Sequence, residues 1–122
     1  MRKKKIVLVD DEKHFREGLT EFLMREADVQ AFESPDAFAE VFAEPKDLQN
    51  IDLVILDYLF DTYNAFSKDL LTYIREDLKY KGKIALWSLE NEIPKEFVKN
   101  LDVILPKKLL GLAEIEQCLN LR

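Results

Sequence analysis

Acidic, hydroxyl and ammonium side chains stand directly behind short apolar runs in this chain. Asp10 and Asp11 follow Ile6-Val7-Leu8-Val9, and Asp57 follows Leu53-Val54-Ile55-Leu56. Ser88 follows Ile84-Ala85-Leu86-Trp87, and Lys107 follows Val103-Ile104-Leu105-Pro106. Three carboxylates brought together are costly. Two unit charges roughly 5 Å apart repel by about 3 kcal/mol at an effective dielectric near 20. A hard divalent cation relieves that repulsion in an all-oxygen site, and Mg²⁺ favours one or two carboxylates together with waters and a phosphate. Lys107 offsets part of the remaining charge. With a carboxylate as nucleophile, a metal and an ammonium to stabilise phosphoryl oxygens, and a hydroxyl to hydrogen-bond the bound group, the set suits phosphoryl transfer to an aspartate. The plain alternatives are structural: an Asp-Asp pair or a Ser after a strand also serves as a helix-capping turn.

These residues share one edge only if the apolar runs are neighbouring strands. Residues 6–9, 84–87 and 103–105 are continuous apolar runs, and residues 51–56 are a strong one broken only at Asp52, as expected for strands buried on both faces. Residues 29–32 form a weaker strand, placed at a sheet edge. Helical stripes lie between them. Phe15, Leu19, Phe22 and Leu23 mark one helix. Ala37, Phe38, Val41 and Phe42 mark a second, with Ser34 as its N-cap, Pro35 at its first position and Pro45 just past its end. Leu70, Leu71, Ile74 and Leu78 mark a third, ending before Lys81-Gly82. A short helix from Pro94 is expected to bury Phe97 and Val98, and a last one Leu112, Ile115, Cys118 and Leu119. Five β-α units predict an α/β fold with a parallel sheet and helices on both faces. In such sheets the functional crevice lies beyond the carboxyl ends of the strands, where the polar residues stand.

Composition narrows the alternatives. The chain has 122 residues, enough for one domain over residues 1–122. Lys plus Arg is 18 against 24 Asp plus Glu, a net charge of −6, which argues against direct gripping of DNA or RNA phosphates. A single Cys excludes an intrachain disulfide and Cys-based zinc sites, and a single His excludes a multi-His metal site. No apolar run reaches the length of a membrane span. The basic start precedes only four apolar residues, too few for a signal-peptide core, so the expected location is cytoplasmic.

The four motifs Ile6-Val7-Leu8-Val9-Asp10-Asp11-Glu12, Leu53-Val54-Ile55-Leu56-Asp57-Tyr58, Leu86-Trp87-Ser88 and Leu105-Pro106-Lys107 resemble the receiver domains of two-component response regulators, stand-alone and chemotaxis-regulator-like. The resemblance spans essentially the whole chain. It implies a (βα)5 flavodoxin-like, doubly wound sheet of strand order 2-1-3-4-5. It implies Asp57 as phosphoacceptor, and Asp10, Asp11, Asp57 and the backbone carbonyl of Leu59 as Mg²⁺ ligands. Ser88 takes the switch position, and Lys107 contacts the phosphoryl group. The implied partners are a sensor histidine kinase or His-phosphotransfer protein and an unknown downstream protein that reads a switched surface. A monomer or weak dimer is expected, with no effector domain following and no enzymatic activity beyond its own phosphorylation and dephosphorylation. His14 is not a credible donor in cis.

The chain departs from the family at named positions. Phe60-Asp61 replaces a usual Met-Pro pair, and the stretch from Asp57 to Leu70 is about two residues longer than usual. Lys108 follows Lys107 where Pro is usual, and a cis bond before a non-Pro residue costs roughly 3 kcal/mol. Ile104 stands where an aromatic switch residue is common. The segment from Ser88 to Lys107 is short by about one helical turn, so the fourth helix is expected to be truncated or displaced. Two rivals follow: a receiver-fold interaction module that works without phosphorylation, and a small Mg²⁺-dependent phosphohydrolase. The spacing of Asp57 and Asp61 does not match the common aspartate phosphatases.

Overall fold

The computed structural model describes residues 4–25, 27–57, 59–60, 65–88 and 101–106. For residues 59–60, 65–69, 88 and 103–106 it describes the backbone alone. Five strands, β1 (Lys4–Val9), β2 (Ala27–Phe32), β3 (Leu53–Asp57), β6 (Lys83–Ser88) and β7 (Val103–Pro106), form one sheet in the order β2-β1-β3-β6-β7, every pair parallel. That is the expected 2-1-3-4-5 order. A two-stranded antiparallel hairpin, β4 (Leu59–Phe60) with β5 (Ala65–Phe66), stands apart from it. The hairpin takes up the extra length between Asp57 and Leu70, which the apolar pattern did not reveal because two-residue strands carry no periodicity.

Strand alternation sorts the core into two layers. Val7, Val9, Val54, Leu56, Ile84 and Leu86 join one buried cluster with Phe38, Phe42, Leu71 and Ile74, which come from α2 (Pro35–Val41) with its C-cap and from α3 (Ser67–Thr72) with its continuation. Ile6, Leu8, Leu53, Ile55, Ala85 and Trp87 join the other, with Leu19 and Leu23 of α1 (Lys13–Leu23). The sheet is therefore covered on both faces, which is why β1 and β3 read as unbroken apolar runs. β2 is the edge, and only Ala27 of its six residues is fully buried. The final helix and the short helix near Pro94 lie outside the described residues. Among the described residues no helix is long and apolar enough to cross a membrane.

Local chemistry explains the element ends. Ser34 accepts a hydrogen bond from Ala37 N–H at 3.0 Å, and Pro35 is the first helical residue of α2. Val41 does not join that helix's buried face and is 50% exposed. Phe38 and Phe42 stack at 5.0 Å and meet Phe32 edge-on, so the aromatics already fill the space against the sheet. Pro45 opens a 3₁₀ turn (Pro45–Leu48) instead of only following the helix. The Asp47 carboxylate accepts the Ala43 and Glu44 N–H groups there. α3 continues into a π-helical turn (Tyr73–Asp77), with Leu78 N–H donating to Tyr73 C=O. The terminating left-handed residue is Lys79, at φ 55°.

Candidate active site

Asp10 is the residue immediately after β1, and Asp57 is the last residue of β3. The register pairs Val9 with Leu56, so the two aspartates leave adjacent central strands side by side. Asp11 follows at the turn into α1. One carboxylate oxygen from each of Asp10, Asp11 and Asp57 lies within 4.8 Å of the others. Asp10 is fully buried and Asp57 is 7% exposed. Asp11 is half-buried, which opens the cluster toward solvent on one side.

The backbone and a neighbouring helix hold Asp10 from three directions. Its N–H donates to Phe32 C=O at 3.0 Å, tying it to the edge strand. Its Oδ1 accepts the Glu12 N–H at 2.8 Å, and its C=O accepts Arg16 Nη1 at 2.9 Å. The capping reading of Asp10 is thus correct for one oxygen, since that bond shapes the entry to α1, whose N-cap Glu12 makes no side-chain cap bond of its own. Arg16 was not singled out from the sequence. It stands beside Phe15, outside the apolar stripe, and only the turn back from α1 onto β1 gives it a role.

The donor set fits a hard cation. Two oxygens on one octahedral Mg²⁺ lie about 3–4 Å apart, given metal–oxygen distances near 2.1 Å. A spread of at most 4.8 Å is within reach of one ion, directly or through a bound water. The donors are all carboxylate oxygens, as Mg²⁺ prefers.

The remaining expected site residues are placed only in part. Ser88 ends β6 opposite Pro106, at the same edge as Asp57, whose register partner is Trp87. The Ser88 side chain lies outside the described residues. Leu59 opens β4 two residues past Asp57. Lys107, Lys108 and Asp61 lie outside the described residues, as does the Ile104 side chain. Trp87 is core, as expected, at 3% exposure and edge-on to Phe15 at 6.2 Å.

No family model matches the sequence, and no curated protein matches it. Solved structures do. The response regulator TrrA from Thermotoga maritima, in complex with Mg²⁺ and BeF, is similar at 25% identity and a TM-score of 0.78, over 98% of this chain and 99% of that one. A response regulator receiver domain (CheY-like) from Methylobacillus flagellatus is similar at 20% identity and a TM-score of 0.76, over 99% of this chain and 100% of that one. A response regulator from Burkholderia pseudomallei with a phosphorylated aspartic acid, calcium ion and citrate is similar at 18% identity and a TM-score of 0.77, over 96% of this chain and 66% of that one. With five parallel strands in the order 2-1-3-4-5 and its aspartates at their carboxyl ends, the chain has the fold of response regulator receiver domains.

Proposed function

We propose that the chain is a phosphorylatable receiver in which Asp57 accepts a phosphoryl group from a phosphohistidine. The observation that carries this reading is the Asp10, Asp11 and Asp57 cluster within 4.8 Å at the carboxyl edge of the sheet. The Mg²⁺–BeF complex of a similar protein supports it.

Asp57 ends β3 with a carboxylate oxygen in the cluster, and that carboxylate acts as the nucleophile. One Asp57 oxygen attacks phosphorus. The P–N bond to the donor imidazole breaks, and the imidazole nitrogen leaves with the bonding pair. Asp10 and Asp11 would hold Mg²⁺, with Asp57 and the Leu59 carbonyl as further ligands. When bound, Mg²⁺ neutralises charge on the transferring phosphoryl oxygens. Lys107 would pair with a phosphoryl oxygen, and Ser88 would donate a hydrogen bond to the phosphorylated aspartate. The added charge then biases a protein-binding surface. The donor is a sensor histidine kinase or a His-phosphotransfer protein, and the chain catalyses only its own phosphorylation and dephosphorylation.

Mass spectrometry of the purified protein with acetyl phosphate tests this. The expected result is one phosphate per chain, dependent on Mg²⁺ and absent in Asp57→Asn. Unchanged uptake in Asp57→Asn overturns the assignment. No adduct in the wild-type chain leaves the phosphate-independent interaction module as the better reading.

A further inference from the structure

The opposite edge of the sheet, at the amino ends of the strands, carries a groove that phosphoryl transfer does not use. The 3₁₀ turn Pro45–Leu48 and the loop 78–82 flank a cavity of about 330 Å³. Leu48, Ile51, Leu78 and Tyr80 supply apolar lining, and Lys79 and Lys81 line the same space. Both lysines are exposed, and among the described residues neither forms an ion pair. The groove is built firmly. The Tyr80 hydroxyl donates to Ile51 C=O at 3.0 Å, joining the two walls. Gly82 has no side chain where a Cβ would overlap the Tyr80 hydroxyl and ring.

Two features give the groove a preference. The chain carries a net charge of −6, yet among the described residues the lining of this cavity includes two lysines and no carboxylate. A cation near a helix C-terminus is favoured by the helix dipole, which accounts for one lysine but not for a pair lining a groove. Lys79 also sits at φ 55°, where glycine is the residue of least cost. The volume is at the small end for a ligand pocket. It admits one or two apolar side chains and excludes a docked helix.

We propose that this groove docks a short acidic segment of a partner protein, seating a Leu or Phe side chain over Leu48, Ile51 and Tyr80 with flanking carboxylates against Lys79 and Lys81. It is independent of the phosphorylation reading. The test is an NMR titration of the full ¹⁵N-labelled chain with a capped Glu-Glu-Leu-Phe-Glu-Glu peptide, beside an all-Glu hexamer and a Lys-Lys-Leu-Phe-Lys-Lys control. The expected result is amide shifts centred on Leu48, Ile51, Tyr80 and Gly82 with the first peptide alone. The double variant Lys79→Glu/Lys81→Glu is expected to weaken Kd about tenfold or more while its labelling by acetyl phosphate stays at the wild-type level. Shifts elsewhere or none, equal shifts with the all-Glu hexamer, or an unchanged Kd in the double variant would each overturn the proposal. Shifts at this groove that grow with protein concentration alone would assign it to a second copy of the chain, and overturn it too. If acetyl phosphate labels neither the wild type nor the variant, the phosphorylation reading fails and the docking result stands.

Discussion

Two buried polar residues show how position sets chemistry. Asp10 uses its backbone and one carboxylate oxygen to join β1, β2 and α1, while a carboxylate oxygen stays within the three-aspartate cluster. Replacing it therefore disturbs both site and fold, which makes Asp57 the cleaner position for probing chemistry. Tyr80 is the other case. Its hydroxyl donates to Ile51 C=O and, at 3.3 Å, to Lys83 C=O. Burial pushes its phenol well above the ordinary value near 10, and the nearby Arg75 charge only partly opposes this. The folded state thus holds the phenolic proton more tightly than the unfolded chain. The stability tied to that difference is complete below about pH 10 and is lost as pH rises further. Urea denaturation from pH 8 to 11 is expected to show wild type losing stability more steeply than Tyr80→Phe at the alkaline end. The variant is expected to be weaker by about 1 kcal/mol at neutral pH, for the lost hydrogen bond. Parallel curves would refute the assignment of this titration to Tyr80.

At the scale of elements, aspartates placed just before strands act as staples. Asp52 N–H donates to Lys5 C=O at 2.8 Å, and its carboxylate accepts the Lys5 N–H at 2.8 Å. Asp102 repeats the pattern two crossovers later, with its N–H to Ile84 C=O at 2.9 Å and its carboxylate on Ile84 N–H at 2.7 Å. Each extends a parallel pairing by one residue beyond the apolar run, so the apparent break of apolarity at Asp52 belongs to the strand start. Arg75 binds the second staple into α3's π-helical end. Its Nη1 donates to Tyr80 C=O and Gly82 C=O, and its Nη2 to the Asp102 carboxylate at 3.1 Å. Because Arg75 is mostly buried and the Asp102 side chain is about half exposed, the ion pair itself contributes little after solvent screening. The two backbone carbonyls matter more. Arg75→Ala is expected to cost about 2 kcal/mol, read as a lower urea midpoint, whereas Asp102→Asn should cost less. The reverse order would show that the ion pair dominates.

For the whole molecule, the aspartate cluster sets fold stability against site chemistry. Without a cation the clustered carboxylates repel, so Asp57→Asn is expected to raise stability in EDTA by about 1–3 kcal/mol. Adding Mg²⁺ stabilises whichever state binds it, by about 1.4 kcal/mol at tenfold above Kd. The wild-type chain should therefore gain more from Mg²⁺ than Asp57→Asn does. Thermal unfolding of both proteins with and without Mg²⁺ measures the difference. An equal gain in the two would place the cation elsewhere. The groove at the amino ends lies at the far edge of the sheet from this cluster, so the proposed docking and the proposed phosphorylation would use separate surfaces of one domain.

The parallel sheet and the alternation of strands and helices along the chain were legible in the residues, while the order of strands within the sheet came only with the family resemblance. Doubly covered parallel strands must be unbroken apolar runs, and the helices between them must carry single apolar stripes, so both kinds of element are legible one window at a time. Also legible was that polar residues stand at the strand ends, because apolarity stops there. The helix start at Ser34-Pro35 was readable for the same local reason. Which of those residues meet follows from strand pairing and helix packing. The meeting of Asp10, Asp11 and Asp57 depends on β1 lying beside β3 in register, and the folding of Arg16 back onto Asp10 depends on the angle of α1. The Tyr80–Ile51 bond and the basic groove depend on two loops about thirty residues apart arriving at one edge. The β4–β5 hairpin and the exposure of Val41 were likewise hidden. The hairpin was hidden because two-residue strands carry no periodicity, and the exposure of Val41 because Phe38 and Phe42 already take the space against the sheet.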